Sequence, residues 1–171
     1  MSATLTLEKN LLLELAAELM DGHVSYKFGA KPLLTKEIAD IKAADCSGFV
    51  RYLLYHASDK RVKIAAGSWH QEEWCKNSGL PKVEYSTAGL SDGWLRIAFL
   101  PKKNGNPRHV WLILNGLTIE SHGRTTGPNR RPWDLPKLKD NAHACFLLAQ
   151  MYSPSVTPVT FPRSSWYCIA P

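Results

Sequence analysis

One Asn-Gly pair, Asn115-Gly116, constrains the fold of this chain more than any other stretch, because it separates two apolar runs. A two-residue type I′ turn requires positive φ at both central positions, which Asn and Gly tolerate. The pair therefore predicts a tight antiparallel hairpin. If Leu114 and Leu117 flank the turn, directly paired positions have residue numbers that sum to 231.

This register decides which polar side chains meet across the hairpin. It places His109 directly opposite His122 and puts Glu120 diagonal to His109. Because side chains alternate between the faces of a strand, these three share one face, whereas Ser121 points the other way. A histidine, a carboxylate and a second histidine are therefore expected on one surface.

A cysteine lies about 60 residues before this hairpin, where a helical pattern begins. In "ADCSGFVRYLLYHA", residues 44 to 57, apolar residues recur at three- and four-residue steps after Cys46, which predicts a helix with one buried face. Asp45 can cap this helix, and a helix start offers free N–H groups and a partial positive charge that activate thiols. The alternative is a structural thiol, since free cysteine is often buried.

Nucleophilic cysteine catalysis needs a thiolate, a histidine that exchanges its proton, and a polar group that orients the histidine. Cys46 and His109 supply the first two, and either Glu120 or His122 supplies the third. Taken singly, His109 also fits a hydrogen-bonded histidine without a catalytic role at a strand start, and Glu120 and His122 also fit a solvated strand end. Their joint occurrence favours a catalytic site.

Three motifs together resemble the NlpC-type cell-wall peptidases, which are papain-like cysteine hydrolases. They are "DCSGFV", "YKFG" at residues 26 to 29, and the His-Val strand start. The resemblance runs from about residue 22 to about residue 123. The chain departs from the family pattern at Gly29-Ala30, where two glycines are usual, and has only "SDGWL" where a Gly-Asp-Leu turn is expected.

The resemblance implies a role for each matching residue. Cys46 corresponds to the nucleophile and His109 to the general base, while Tyr26 corresponds to a tyrosine near the oxyanion site. The third catalytic position falls on Glu120, and His122 is the competing candidate. Asp45 and Ser47, within the cysteine motif, are expected to support the site.

The implied fold is α+β, with N-terminal helices packed on a central antiparallel sheet and the cysteine at a helix N-terminus. We expect one catalytic domain over residues 1–171, with the motif-bearing core at about 22–123 and a Pro-rich C-terminal extension at about 153–171. Sequence patterns also predict a first amphipathic helix that ends near Gly22, a short helix within 67–81 and a further strand at 144–152.

The implied function is a peptidoglycan-degrading cysteine amidase or endopeptidase that cleaves stem-peptide amide bonds through a thioester, without cofactor or metal. With 21 Lys and Arg against 15 Asp and Glu, the net charge of +6 also fits an anionic partner such as nucleic acid. A nucleic-acid-binding module, an inactive binding module and a metal site are the alternatives, the last drawing on His109, His122, His143 and Cys145. We expect no nucleic-acid partner and no membrane insertion.

The N-terminal segment is interrupted by Glu8, Glu14 and Glu18, so it does not read as a secretory signal. The sequence therefore predicts synthesis in the cytoplasm and action in the periplasm or cell wall after delivery by a non-general export route. An antibacterial effector toxin of a type VI-like secretion machine fits this expectation, with an immunity protein or a secretion-machine component as partner. A phage-associated lysin is the alternative. The disulfide state of Cys75, Cys145 and Cys168 is left open.

Overall fold

The computed structural model describes residues 5–103, 108–123 and 126–154. It is an α+β structure built on a six-stranded sheet with strand order β1-β6-β2-β3-β4-β5. The strands are β1 (Thr6–Glu8), β2 (Trp94–Leu100), β3 (His109–Leu114), β4 (Leu117–His122), β5 (Gly127–Asn129) and β6 (Ala144–Tyr152). The helices are α1 (Lys9–Met20), α2 (Cys46–Ala57), α3 (Ser68–Asn77) and α4 (Pro136–Lys139).

The predicted hairpin is confirmed as β3 and β4, with Leu114 paired to Leu117 and Leu112 paired to Ile119. Asn115 and Gly116 adopt φ values of 50° and 74°, as a type I′ turn requires. The neighbouring pairs β2–β3, β2–β6 and β4–β5 are also antiparallel. The sheet departs from the expectation at one edge, where β1 pairs with β6 in parallel.

The core lies on both faces of the sheet because side chains of β2 and β3 alternate between them. On one face, Leu95, Ile97 and Leu112 pack with the apolar sides of α1 and α2. On the other face, Trp111 and Ile113 pack beneath a 3₁₀ turn at Tyr85–Gly89, together with α4 and Trp133. Each layer buries its apolar face against the sheet, as expected for a two-faced α+β core.

Other elements agree with the sequence patterns, with local differences. The first helix buries Leu12, Ala16 and Leu19, and the chain leaves it through Gly22 at a φ of 100°. The short strand β1 before it was not predicted, because its three residues become a strand only by pairing with the distant β6. The short helix and the late strand are confirmed as α3 and β6.

Trp69, in the first turn of α3, is 51% exposed. Most of the expected C-terminal extension, residues 155–171, lies outside the described residues. Within the described ranges, none of the helices has the length and apolar character needed to cross a bilayer.

Candidate functional site

Cys46 is the first residue of α2, at the position where the sequence pattern predicted a helix start. The preceding residue, Asp45, is extended (φ −83°, ψ 177°) and accepts a hydrogen bond from the backbone N–H of Gly48 at 2.7 Å. The first N–H groups of a helix have no acceptor within the helix, so the amide of Cys46 remains a free donor by position. The thiol is buried, at 6% exposure.

Asp45 also ties a preceding loop to the start of α2. Its buried carboxylate accepts hydrogen bonds from the hydroxyl of Ser47 at 3.0 Å and the backbone N–H of Gly29 at 3.1 Å. It also forms an ion pair with the ammonium group of Lys31, which donates to the Ser47 hydroxyl at 2.8 Å. Asp45 and Ser47 thus hold the loop and the helix together beside Cys46.

Gly48 allows this loop to lie close against the helix. A Cβ at this position would lie 2.6 Å from the carbonyl oxygen of Ala30 and 3.1 Å from the Cα of Lys31. The same carbonyl of Ala30 accepts a hydrogen bond from the N–H of Asp45 at 2.9 Å. Both contacts involve backbone atoms, which yield little, so glycine is required here for the observed approach.

His109 begins β3, and its ring nitrogen Nε2 donates to Oε2 of Glu120 at 2.7 Å. The ring stacks on Trp111, with centroids 5.5 Å apart. Burial by itself lowers the pKa of His109, but hydrogen bonding to Cys46 and Glu120 outweighs it and raises that pKa to about 9. Because Nε2 is engaged by Glu120, Nδ1 is the nitrogen left to exchange a proton with the thiol.

Glu120 is fully buried and surrounded by donors. Besides His109, it accepts a hydrogen bond from the hydroxyl of Thr118 at 2.7 Å. Arg131 donates two parallel hydrogen bonds of 2.9 Å each, from Nε to Oε1 and from Nη2 to Oε2. Burial raises the pKa of Glu120, but the hydrogen bonds from His109 and Arg131 dominate and lower it to about 2. Glu120 is therefore ionised at neutral pH.

The geometry distinguishes the two candidates for the third position. The rings of His122 and His109 have centroids 6.5 Å apart, and Nε2 of His122 lies 3.0 Å from the side-chain nitrogen of Asn129. Burial lowers the pKa of His122, which favours its neutral form. Glu120, not His122, holds the hydrogen bond to His109. Ser121 faces the other side, as predicted, and donates to the carbonyl of Ala44 at 2.8 Å.

Tyr26 is half-buried near the start of α2. Burial, followed by the charges of Cys46 and Asp45, raises its pKa above the usual range for tyrosine. The hydroxyl therefore stays protonated at neutral pH and remains a hydrogen-bond donor. The strand pairing of Ser25 with Ala43 fixes this part of the chain beside the helix start.

The sequence pattern missed Arg131 as part of this cluster. Its contact with Glu120 depends on the return of the chain through β5, whose Asn129 pairs with Glu120. No local spacing reveals this return, although the consecutive arginines of "NRRPW" mark the segment as basic.

Two other basic side chains, Arg108 and His143, interact with a buried carboxylate. Arg108 pairs with the buried carboxylate of Glu72 at 2.7 Å, and Nε2 of His143 lies 3.0 Å from the same carboxylate. The part of the chain that the structure describes contains no cluster of three metal-type ligands. Cys46, Cys75 and Cys145 are free thiols, whereas Cys168 lies outside the described residues.

The segment after β4 covers the second face of the sheet. The Trp133 ring packs against Gly89, and its carbonyl accepts a hydrogen bond from the Tyr85 hydroxyl at 2.8 Å. The bridge between Leu117 and Pro132 attaches the same segment to β4. The contacts of Trp133 are those of a residue that caps the sheet.

Two solved structures resemble this chain. The first is described as similar to a lipoprotein of the NLP/P60 family, from Staphylococcus aureus subsp. aureus Mu50. It is 15% identical, with a TM-score of 0.55 over 88% of this chain, and the match spans 45% of the staphylococcal chain. The second is the P60 domain of an antigen from M. avium subspecies paratuberculosis, 20% identical, with a TM-score of 0.53 over 84% of this chain and 95% of that domain.

Sequence comparison alone gives no relative for this chain. No protein-family model matches it, and no curated protein matches it at a significant level. At these identities, the likeness to the two solved structures concerns the fold. Both structural neighbours belong to this fold type, and the chain has an NlpC/P60-type fold.

Proposed function

We propose that this protein is a cysteine amidase or endopeptidase that hydrolyses amide bonds in peptidoglycan stem peptides. The observation that carries the proposal is the cluster of Cys46 at a helix start, His109 beside it, and a buried Glu120 at 2.7 Å from His109. Nucleophilic cysteine catalysis needs a thiol, an imidazole beside it, and an acceptor that orients the imidazole.

The reaction would begin with attack of the Cys46 thiolate on the carbonyl carbon of the scissile amide. The oxyanion would accept hydrogen bonds from the backbone N–H of Cys46 and from the protonated hydroxyl of Tyr26. With its pKa raised to about 9, His109 carries a proton at neutral pH. His109 would transfer that proton to the leaving amine as the C–N bond breaks, which leaves a thioester on Cys46.

The second half of the reaction would consume water. Neutral His109 would remove a proton from a water molecule, whose oxygen attacks the thioester carbonyl. The C–S bond would then break, a carboxylic acid would leave, and the sulfur would recover a proton from His109. Glu120 would keep Nδ1 of the imidazole ring directed towards Cys46 in both halves of the reaction.

Two features support an acidic peptide as substrate. The chain carries a net charge of +6, and stem peptides are rich in carboxylates. A cleft of about 290 Å³ lies beside the loop that packs on Gly48, and Lys36 and Lys42 line it together with apolar residues and with Lys31, whose ammonium group pairs with Asp45. The resemblance of the sequence motifs to the NlpC-type cell-wall peptidases, and the fold shared with the NLP/P60-family neighbour, favour the same substrate class.

Mass spectrometry of purified peptidoglycan after digestion tests the proposal. We expect new stem-peptide fragments with the wild type and none with C46A or H109A. H56Q is a matched control, because His56 lies at the opposite end of α2, and it should still produce fragments. Absence of fragments from folded wild type on several wall types would overturn the proposal, and salt-dependent nucleic-acid binding that survives C46A would replace it.

A further inference from the structure

The buried carboxylate of Glu120 accepts hydrogen bonds from two basic side chains, His109 and Arg131. One oxygen, Oε2, receives both the His109 ring and Nη2 of Arg131, and the other receives Nε of Arg131 and the hydroxyl of Thr118. A parallel pair of arginine hydrogen bonds fixes the plane of a carboxylate as well as its charge. The direction in which Glu120 points is therefore set by Arg131.

The backbone of Arg131 is itself held in place. Its N–H donates to the hydroxyl of Thr118 at 2.9 Å, and its carbonyl accepts from the N–H of Thr118 at 2.8 Å. Thr118 thus contacts both Arg131 and Glu120. Hydrogen bonds link Thr118 and Glu120 of β4 with Arg131 in one network, and Glu120 presents a carboxylate oxygen to the imidazole ring.

We propose that Arg131 is a positioning residue, which orients Glu120 towards His109 and allows His109 to release its proton without leaving a buried carboxylate unpaired. This inference rests on the proposed role of His109 as the base. Arg131 would act through Glu120, and it would not contact the substrate.

Electrostatics explains why Arg131 allows His109 to release its proton. When His109 loses its proton, the fully buried Glu120 keeps its negative charge, and an isolated buried charge is strongly disfavoured. Arg131 remains as the counter-ion of Glu120, so the state with neutral His109 stays accessible. Without Arg131, His109 would be the only cation on Glu120, and it would hold its proton to higher pH.

The titratable and charged groups around this pair come from several elements. Cys46 on α2 and His122 on β4 face His109, and Tyr85 in the 3₁₀ turn lies near Glu120 and Arg131. Burial raises the pKa of Tyr85 far above neutrality, so it stays uncharged. His122, whose pKa is lowered, is also uncharged at neutral pH. Arg131 is thus the fixed cation in this set.

Titration of the His109 imidazole by NMR tests the inference without any substrate. R131M should raise the pKa of His109 by about one unit, since it removes a charge that acts through one intervening group. R130M is the matched control, because Arg130 is exposed and adjacent in sequence, and it should leave this pKa unchanged. An unchanged pKa of His109 in folded R131M would overturn the inference.

A second comparison identifies the route by which Arg131 affects His109. In the E120Q background there is no buried carboxylate to compensate, so adding R131M should leave the pKa of His109 as it is in E120Q alone. A change of half a unit or more between E120Q and E120Q/R131M would mean that Arg131 acts directly on His109, which would also overturn the inference.

R131K tests orientation separately from charge. It keeps the cation but loses the parallel pair of hydrogen bonds, so we expect a His109 pKa near the wild-type value and a kcat about tenfold lower, with KM little changed. A wild-type kcat in R131K would refute the orienting role. Because the titrations need no substrate, a wild type that cuts no peptidoglycan would overturn the proposed function alone.

Discussion

The imidazole of His109 and the carboxylate of Glu120 are joined by a hydrogen bond of 2.7 Å across the β3–β4 hairpin, in a diagonal pairing. Glu120 is fully buried and the His109 side chain is 15% exposed, so solvent screens the interaction only weakly. The bond fixes the tautomer of His109 and directs its other nitrogen towards Cys46.

Replacing the carboxylate by an amide should weaken catalysis without removing the hydrogen-bond acceptor. We expect E120Q to lower kcat/KM by roughly ten- to a hundredfold and to lower the pKa of His109, because the imidazolium loses its anionic partner. H122Q should lower kcat/KM less, because His122 does not hydrogen-bond to Nε2 of His109. Initial rates of peptidoglycan digestion measure both, and a larger loss in H122Q would point to His122 as the third residue.

The same ion pair predicts how stability depends on pH. The pKa of Glu120 is lowered to about 2, so its contribution is present above its ordinary pKa of 4.5 and is lost as the pH falls towards 2. The pKa of His109 is raised to about 9, so its contribution is present below 6.5 and is lost as the pH rises through 9. The two shifts share the His109–Glu120 hydrogen bond and are not added, and Cys46 also raises the pKa of His109 while Arg131 also lowers that of Glu120.

Urea unfolding at several pH values, with wild type and E120Q compared, measures this dependence. The stability difference between the two proteins should be largest between pH 4.5 and 6.5 and should shrink on both sides. A difference that stays constant from pH 3 to pH 10 would show that the ion pair does not contribute in this way.

Loss of the helix cap should destabilise the site. D45A removes the acceptor for Gly48 and the partner of Lys31, and we expect the free energy of unfolding to fall by about 2 kcal/mol. K31M removes the half-buried cation of the ion pair and should lower the free energy of unfolding by less, since Asp45 keeps its other donors. Chemical denaturation measures both. A larger loss in K31M than in D45A would contradict the capping role.

A methyl group at Gly48 should disturb the packing of the loop on α2. Alanine is intrinsically better than glycine in a helix by about 1 kcal/mol, so stabilisation would be expected from helix propensity alone. The contact of 2.6 Å with the Ala30 carbonyl reverses this expectation, and G48A should instead destabilise the protein by about 1–3 kcal/mol. Slower alkylation of Cys46 by iodoacetamide should accompany it. A more stable G48A would refute the close approach.

The proposed hydrolysis of peptidoglycan predicts that the protein is toxic only in the compartment that contains peptidoglycan. We expect export to the periplasm of a Gram-negative host, through an added signal sequence, to arrest growth, whereas C46A exported in the same way should be tolerated. Cytoplasmic expression of the wild type should also be tolerated. Growth curves with matched protein levels measure this. Equal toxicity of wild type and C46A would count against wall hydrolysis as its cause.

Local rules of chain geometry made much of this site predictable. The Asn115-Gly116 turn and the alternation of strand side chains set the register of the hairpin, and with it the meeting of His109 and Glu120. The Asp45 cap and the start of α2 at Cys46 also follow from near neighbours in sequence. These features depend on backbone sterics over a few residues, which the amino-acid order determines by itself.

Only the tertiary structure decided which distant groups joined them. Arg131 reaches Glu120 because the chain returns through β5, and Lys31 reaches Asp45 because the loop packs against Gly48. The choice of Glu120 over His122 also involves this return, because Arg131 holds the Glu120 carboxylate and Asn129 of β5 contacts the His122 ring. Such contacts depend on how elements far apart in sequence pack together, and helix or strand periodicity carries no information about that packing.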